Sequence, residues 1–297
     1  MTHENHHHHN IPRQTGKAFT IGIVLNFSFV IIEAVAGVLQ NSLALLTDAG
    51  HNLSDVAGLL LVIAAERLSR KKPTEKFTYG YGKSTILVAL INGGLLLVAV
   101  GAIGWEAIGR INNVHFVNGE GISLVAFAGI IVNTTSALLF MRDRKKDLNV
   151  RGAFLHMAAD ALVSLGVLIS GIIIVYTGWF QLDAIISLVI IAVILWSTWG
   201  LLRDSLYLSL DSVPDNIDIS AVRNYLMGLK GVTGIHDLHI WALSTNAAAL
   251  TAHLEAPEGI SDSYRAEIIN ELHNKFNIDH TTIQVEKSAD VNCEQEC

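Results

Sequence analysis

Asp48-Ala49-Gly50-His51-Asn52-Leu53-Ser54-Asp55 interrupts a stretch, Leu43–Leu68, that is otherwise apolar and long enough to cross a bilayer. A carboxylate, an imidazole and a second carboxylate stand at i, i+3 and i+7, which puts all three on one face of a helix. Each ionisable group near the centre of a membrane helix costs roughly 2.5–3.5 kcal/mol on insertion scales. A segment that keeps three of them is a functional suspect. A second long apolar segment repeats the device in His156-Met157-Ala158-Ala159-Asp160, with His and Asp at i, i+4. Two helices, each offering one His and one Asp to a shared interior, would supply four ligands to a divalent cation.

Working outward, the composition agrees with a membrane setting. The chain has 297 residues, 51% hydrophobic and only 16% charged, where a soluble domain carries about 25% charged residues. The net charge of −7 is uneven: the acid surplus lies mostly after Leu202, while basic residues crowd a few short loops. No basic face with interleaved aromatics is present, so nucleic acid is not an expected partner. The only cysteines are Cys293 and Cys297, which is no disulfide framework. No short apolar core followed by a small-residue cleavage site opens the chain, so the first apolar helix is expected to stay as an anchor.

Six apolar spans follow, near Phe19–Leu39, Leu43–Leu68, Ser84–Ile108, Gly121–Met141, Ala153–Tyr176 and Leu182–Leu202. Basic residues crowd the segment before the first span (Arg13, Lys17) and loops 69–82 and 142–152, whereas the opposite loops are nearly free of them. By the positive-inside rule both termini face the cytoplasm. Trp105, Trp179 and Trp199 fall near span ends, where aromatics anchor to the interface. Residues 1–18 are polar, with His3, His6, His7, His8 and His9. They read either as a mobile metal-collecting tail or as an incidental polar or tag-derived one.

From Ser209 the pattern changes. Asp211–Asp218, with Pro214, reads as a hinge out of the membrane. A short amphipathic helix (Ile219–Leu229) precedes two alternating strands (Val232–Leu243 and Ala247–Glu255). A helix over Ser261–Phe276, capped by Ser261 or Asp262, and a third strand over Thr281–Glu286 complete a small α+β domain of order αββαβ. The expected organisation is a tail (1–18), a six-helix transmembrane domain (19–208) and a C-terminal domain (209–297). Nothing repeats beyond the paired His-x-x-x-Asp motif.

The chemistry of that motif is specific. One His/Asp pair is half a tetrahedral site, and two facing pairs complete it. Imidazole nitrogen with carboxylate oxygen suits Zn²⁺, and also Co²⁺, Cd²⁺ or Mn²⁺. Two carboxylates and two neutral imidazoles around a divalent ion sum to zero charge, the least costly state inside a bilayer. Because metal needs deprotonated ligands, protons compete for the same atoms, and a site facing alternate sides would exchange metal for H⁺. The competing structural reading is an interhelical His–Asp pair that only holds the bundle together. Asp48 reads as a carboxylate orienting a ligand imidazole, or as a helix-end residue at the outer interface. Asn26 and Glu33 in the first span, at i and i+7, either line the same interior or act as polar glue. No motif supplies a nucleophile or an open catalytic metal site, so an enzyme is not expected.

These residues resemble the cation diffusion facilitator family over nearly the whole chain after residue 18. Ser42–His51 with Asp55 resembles the family's second transmembrane helix. Phe77-Thr78-Tyr79-Gly80-Tyr81-Gly82-Lys83 resembles the aromatic-glycine loop entering its third. His156 and Asp160 match its fifth helix, and His236-Asp237-Leu238-His239-Ile240-Trp241 matches the first strand of its cytoplasmic domain. The resemblance implies a homodimeric, proton-coupled Zn²⁺ exporter with a metallochaperone-like cytoplasmic domain, and His51, Asp55, His156 and Asp160 as its transport site. It further implies regulatory metal held by His236, His253, His280 and Glu286, with Cys293 and Cys297 resembling the terminal ligands of some relatives. In a regular strand His236 and His239 would sit on opposite faces and could not share an ion. A short fourth-to-fifth loop without a His-rich insert points to a bacterial plasma (inner) membrane. A main cargo of Cd²⁺, Co²⁺ or Mn²⁺ is the first alternative, and a membrane metal sensor the second.

Overall fold

The computed structural model describes residues 13–141 and 148–287, with side chains described from residue 24 to 138, at 141 and from 154 to 287. The histidines at positions 3 and 6–9, both cysteines and the basic residues 142–146 lie outside the described residues. Six helices come first: α1 (Arg13–Leu39), α2 (Leu43–Ser69), α3 (Ser84–Asn112), α4 (Gly119–Met141), α5 (Leu148–Thr177) and α6 (Gln181–Ser209). Then follow α7 (Ile219–Met227), β1 (Gly234–Ala242), β2 (Ala248–Glu255), α8 (Asp262–Phe276) and β3 (His280–Glu286). Among the described residues, α3, α4, α5 and α6 hold segments both long and apolar enough to span a membrane. The described part of α1 is a shorter apolar helix, Val24–Leu39. α2 has the length, 27 residues, or about 40 Å at 1.5 Å per residue, but its polar face dilutes its hydropathy.

The chain divides into two compact units, residues 1–57 with 94–198, and residues 58–93 with 199–297. In the first, Phe29, Leu45, Val100, Ile122, Val167 and Ile194 are among the residues of a shared apolar core. Large apolar side chains such as Leu95, Val98, Trp105, Leu124 and Leu162 face outward, the pattern of a bundle solvated by lipid. Helix α4 packs along α5 through small residues. A Cβ on Gly119 would meet the Gly171 carbonyl oxygen at 2.7 Å, and one on Gly171 would meet Gly119 O at 3.0 Å and Ser123 N at 3.0 Å. Only glycine lets the two backbones approach so closely.

The start of α2 is held by a residue of another helix. Asp183, in the first turn of α6 and 2% exposed, accepts from the Ser42 hydroxyl, from Leu43 N–H at 2.7 Å and from Ala44 N–H at 3.4 Å. A buried carboxylate thus satisfies N–H groups that a helix N-terminus leaves without intrahelical partners, where the macrodipole favours negative charge. Thr47 Oγ1 and Ser187 Oγ, 2.7 Å apart, continue the tie between α2 and α6.

In the second unit the sheet order is β1-β2-β3, with β1/β2 antiparallel and β2/β3 parallel. A parallel pair needs a crossover, and α8 supplies it. Asp218 caps α7 and Ser261 caps α8 through its hydroxyl, while Asn277 closes α8 in the left-handed region at φ 56°. Val222, Leu226, Leu250, Leu254, Ile268 and Leu272 are among the buried residues of a second core. The other face of the sheet is polar. A register shift between His236 and His239 adds a residue to β1, with Asp237 at φ 50°. His236 opposes His253 and His239 opposes Thr251. Because His253 and Thr251 share a face and directly opposed residues share a face, the bulge brings His236 and His239 to the same side. This reverses the arrangement a regular strand would impose.

Candidate metal centre

His51 and Asp55 occupy successive turns of α2, and His156 and Asp160 successive turns of α5. All four side chains converge within the first unit. Asp55 Oδ2 lies 3.5 Å from His51 Nε2 and 3.1 Å from His156 Nε2, and Asp160 Oδ2 lies 3.5 Å from His156 Nε2. The imidazole rings are 5.9 Å apart and nearly perpendicular, at 76°, so two nitrogens can point at one centre without the rings stacking. Nitrogen and oxygen atoms bound to a tetrahedral zinc at about 2.0–2.2 Å stand about 3.3–3.6 Å from one another. These three separations, 3.1–3.5 Å, are of that size. Ligand atoms of His51, His156 and Asp160 all fall within 4.8 Å of one another, a group that leaves Asp55 out; Asp55 joins through its contacts with the two imidazoles. Asp55 Oδ2, Asp160 Oδ2 and His51 Nδ1 are buried polar atoms without a regular hydrogen bond, a condition that a cation relieves for the carboxylates. Asp160 is buried, whereas Asp55 and His156 keep more than a third of their side-chain surface open, so an ion has a way in.

The neighbours of this quartet are polar as well. Asn26 of α1 donates to Met157 Sδ at 3.8 Å, beside His156. Asp48 is 2% exposed and faces Asn52 Nδ2 at 3.4 Å, Ser164 Oγ at 3.5 Å and the carboxyl group of Glu33. Its described hydrogen bonds go to these groups and not to a ligand imidazole. Ser164 and Asn52 escaped the sequence reading, although each sits four residues after an acid, Asp160 and Asp48, and so on the same face.

The second cluster lies on the polar face of the sheet, with one residue from each strand. His236 Nε2 is 3.2 Å from Glu286 Oε2, His253 Nδ1 is 3.0 Å from Glu286 Oε1, and the two rings are 5.1 Å apart. Glu286 is buried beneath them. Two acids to which the sequence reading gave no ligand role border the group. Glu255 Oε1 is 3.6 Å from His236 Nδ1, and Asp237 Oδ2 is 3.5 Å from His253 Nε2. Asp237 also takes a 2.7 Å hydrogen bond from His239, which holds its carboxyl below the usual carboxylate range. His280 is not brought to this cluster. It opposes Ala249, four residues from His253 along β2, and its ring stands edge-on to Tyr79 at 5.4 Å.

A helical bundle with ionisable residues gathered in its interior, followed by a small αββαβ domain, defines a membrane protein of metal-ion transport type. Residues 19–208 match the cation efflux transmembrane domain, and residues 214–288 match the cytoplasmic domain of cation efflux proteins. The chain belongs to the cation efflux family, and is a transporter rather than an enzyme. Relatives include the cadmium, cobalt and zinc/H⁺-K⁺ antiporter of Bacillus subtilis, 35% identical over 95% of this chain and 92% of its own. The metal cation efflux system protein CzcD of Cupriavidus metallidurans is 36% identical over 97% and 91%, respectively. The zinc transporter ZitB of Yersinia pestis is 36% identical over 91% and 87%.

Proposed function

We propose that this chain is a proton-coupled exporter of Zn²⁺, with Cd²⁺ and Co²⁺ as further cargo, and that His51, Asp55, His156 and Asp160 are the transport site. The observation that carries this reading is the meeting of two imidazoles and two carboxylates from α2 and α5 at 3.1–3.5 Å. Neutral imidazoles and ionised carboxylates bind the ion; protons arriving from the other side displace it from the same atoms. The names of the relatives, which mention zinc, cadmium, cobalt and H⁺, support the cargo. Helices α1–α6 act as six transmembrane spans over residues 19–208. Residues 209–297 form a cytoplasmic domain through which two copies associate, and residues 1–18 a cytoplasmic tail. The setting is the plasma (inner) membrane with both termini inside, as the basic loops favour. His236, His253 and Glu286 bind regulatory metal in that domain; Cys293 and Cys297 stand as further ligands of the same kind, whereas His280, which stands apart from the cluster, does not.

The test is transport in sealed vesicles under an imposed pH gradient, with zinc, cadmium, cobalt and manganese offered in competition. Zinc-driven proton flux is expected, and uptake that ignores zinc would make another cation the main cargo. Asp55→Ala and Asp160→Ala should each abolish flux while the protein still inserts and folds. Retained flux in both would remove the ligand assignment.

A further inference from the structure

On the polar face of the sheet the two imidazoles do not offer the same nitrogen to Glu286. His236 turns Nε2 toward it, at 3.2 Å, and His253 turns Nδ1, at 3.0 Å. An ion held by Glu286 and both rings takes those two atoms. A neutral imidazole keeps its proton on one nitrogen and offers the other to metal, and the partner of the far nitrogen decides which. The far nitrogen of His253, Nε2, lies 3.5 Å from Asp237 Oδ2, near the outer limit of a hydrogen bond. Asp237 is itself pinned, because its other oxygen, Oδ1, takes a 2.7 Å hydrogen bond from His239 Nε2. The far nitrogen of His236, Nδ1, is 3.6 Å from Glu255 Oε1, beyond hydrogen-bond length, so that ring is held less firmly. The backbone is bent to allow this. In a regular strand, position 237 would face away from His236. The register shift after His236, with Asp237 at φ 50°, brings the Asp237 carboxylate to the histidine face while Leu238 stays buried. Left-handed backbone is disfavoured for residues with a Cβ, least so for Asn and Asp, and persists where the surroundings hold it.

We propose that Asp237 and His239 are a positioning pair for metal at the sheet: His239 fixes Asp237, Asp237 holds the Nε2–H of His253, and His253 is thereby made to bind through Nδ1, beside Glu286. The proposal rests on the reading of His236, His253 and Glu286 as a metal site, and adds two residues that act on it without touching the ion. The two rings then bind through different nitrogens, Nδ1 of His253 and Nε2 of His236. The 2.7 Å contact of His239 with Asp237 also separates this role from that of a second metal site. Two ligand atoms of one tetrahedral zinc stand about 3.3–3.6 Å apart, and this pair is closer, at hydrogen-bond length.

The measurement uses cadmium-113 as the probe ion on the full-length chain in lipid nanodiscs, with nitrogen-15-labelled histidine and with Asp55→Ala disabling the quartet. Cadmium–nitrogen coupling in the NMR spectrum shows which ring nitrogen binds, and His236→Gln and His253→Gln identify the two signals by their loss. With the sheet unaltered, coupling is expected at His253 Nδ1 and His236 Nε2. Asp237→Ala should weaken cadmium binding at the sheet by about 10–100-fold and move the His253 coupling to Nε2 or spread it over both nitrogens. Asp237→Asn keeps an acceptor oxygen and should restore coupling at Nδ1, and Glu255→Ala should cost less affinity than Asp237→Ala. If Asp237→Ala fails to fold, His239→Ala, which frees the Asp237 carboxylate, decides by the same spectrum. Coupling that stays wholly at His253 Nδ1 in the alanine variant would overturn the proposal, whatever the affinity. So would coupling to His239 with the sheet unaltered, which would make it a ligand. Failure of the underlying site is seen separately, as no coupling to either His236 or His253 before the sheet is changed.

Discussion

Replacing Asp183 by alanine should loosen the helix that carries half of the proposed metal quartet. The carboxylate accepts one hydroxyl and two backbone N–H groups at the start of α2, with the Leu43 contact short at 2.7 Å and the Ala44 contact long at 3.4 Å. Hydrogen bonds to a charged partner contribute about 1.5–3 kcal/mol each, and a buried donor left alone costs about 1–3 kcal/mol. Counting Ser42 and Leu43 as the two strong bonds gives roughly 3–6 kcal/mol. Part is recovered, because Ser42 Oγ already accepts from Leu45 N–H at 3.2 Å and can turn toward the helix end as an ordinary N-cap, worth about 1 kcal/mol. The expected net loss is therefore about 2–5 kcal/mol. At about 2–4 °C per kcal/mol for chains of this size, the melting midpoint should fall on the order of 10 °C. The assay is thermal unfolding of the detergent-solubilised full chain, alongside Asp183→Asn, which keeps one acceptor oxygen and should lose about half as much. Zinc should stabilise the alanine variant less than the unaltered protein, because frayed α2 ligands bind more weakly. A midpoint within a degree of the unaltered chain would refute the idea that this contact anchors α2.

Three further outcomes are expected. His51→Asp replaces a borderline nitrogen by a hard oxygen and should narrow the preference for zinc over cadmium in competitive vesicle uptake; an unchanged ratio would mean that His51 does not touch the ion. Glu286→Gln removes a carboxylate that bridges His236 and His253, and should weaken zinc binding at the sheet by at least tenfold in equilibrium dialysis of the full chain with the quartet disabled; equal binding would free Glu286 of that role. The Asp237 carboxyl, held low by His239, contributes stability that is present above the unfolded-state value near 3.8 and is lost as pH falls through the lower folded-state value. Asp237→Asn should therefore flatten the acid limb of the unfolding curve between those two values, and an unaltered limb would show the bond to be without consequence.

How far the chain could be read from its residues varied with the kind of signal. Apolar length predicts the helices well because lipid imposes it: Leu43–Leu68 is observed as Leu43–Ser69, and Gly121–Met141 as Gly119–Met141. It underestimates α6, which continues past Leu202 to Ser209, because Arg203 and Asp204 end the apolar run without ending the helix. The i, i+4 pairs were legible because helical spacing alone puts them on a face, and the structure brings all four side chains together. The contact of Glu33 with Asp48 was not, since nothing local relates residues on different helices. Asp183 misleads in the same way: an acid in a first turn ordinarily serves its own helix, and this one serves α2. The bulge at Asp237 was hidden because alternation assumes a regular pleat, and one extra residue inverts every face beyond it.

The glycine seam between α4 and α5 bears on how cargo is let go. Backbones in contact at Gly119 and Gly171 have no side-chain cushion in which to slip, so the two rods behave as one stiff lever, and His156 and Asp160 ride on it. Their counterparts on α2 are moored elsewhere, through Asp183. With the quartet as the proposed transport site, a tilt of the lever would stretch the contacts of His156 and Asp160 to an ion together while leaving those of His51 and Asp55 in place. Release would then be abrupt, a latch that opens at once instead of a grip that relaxes finger by finger.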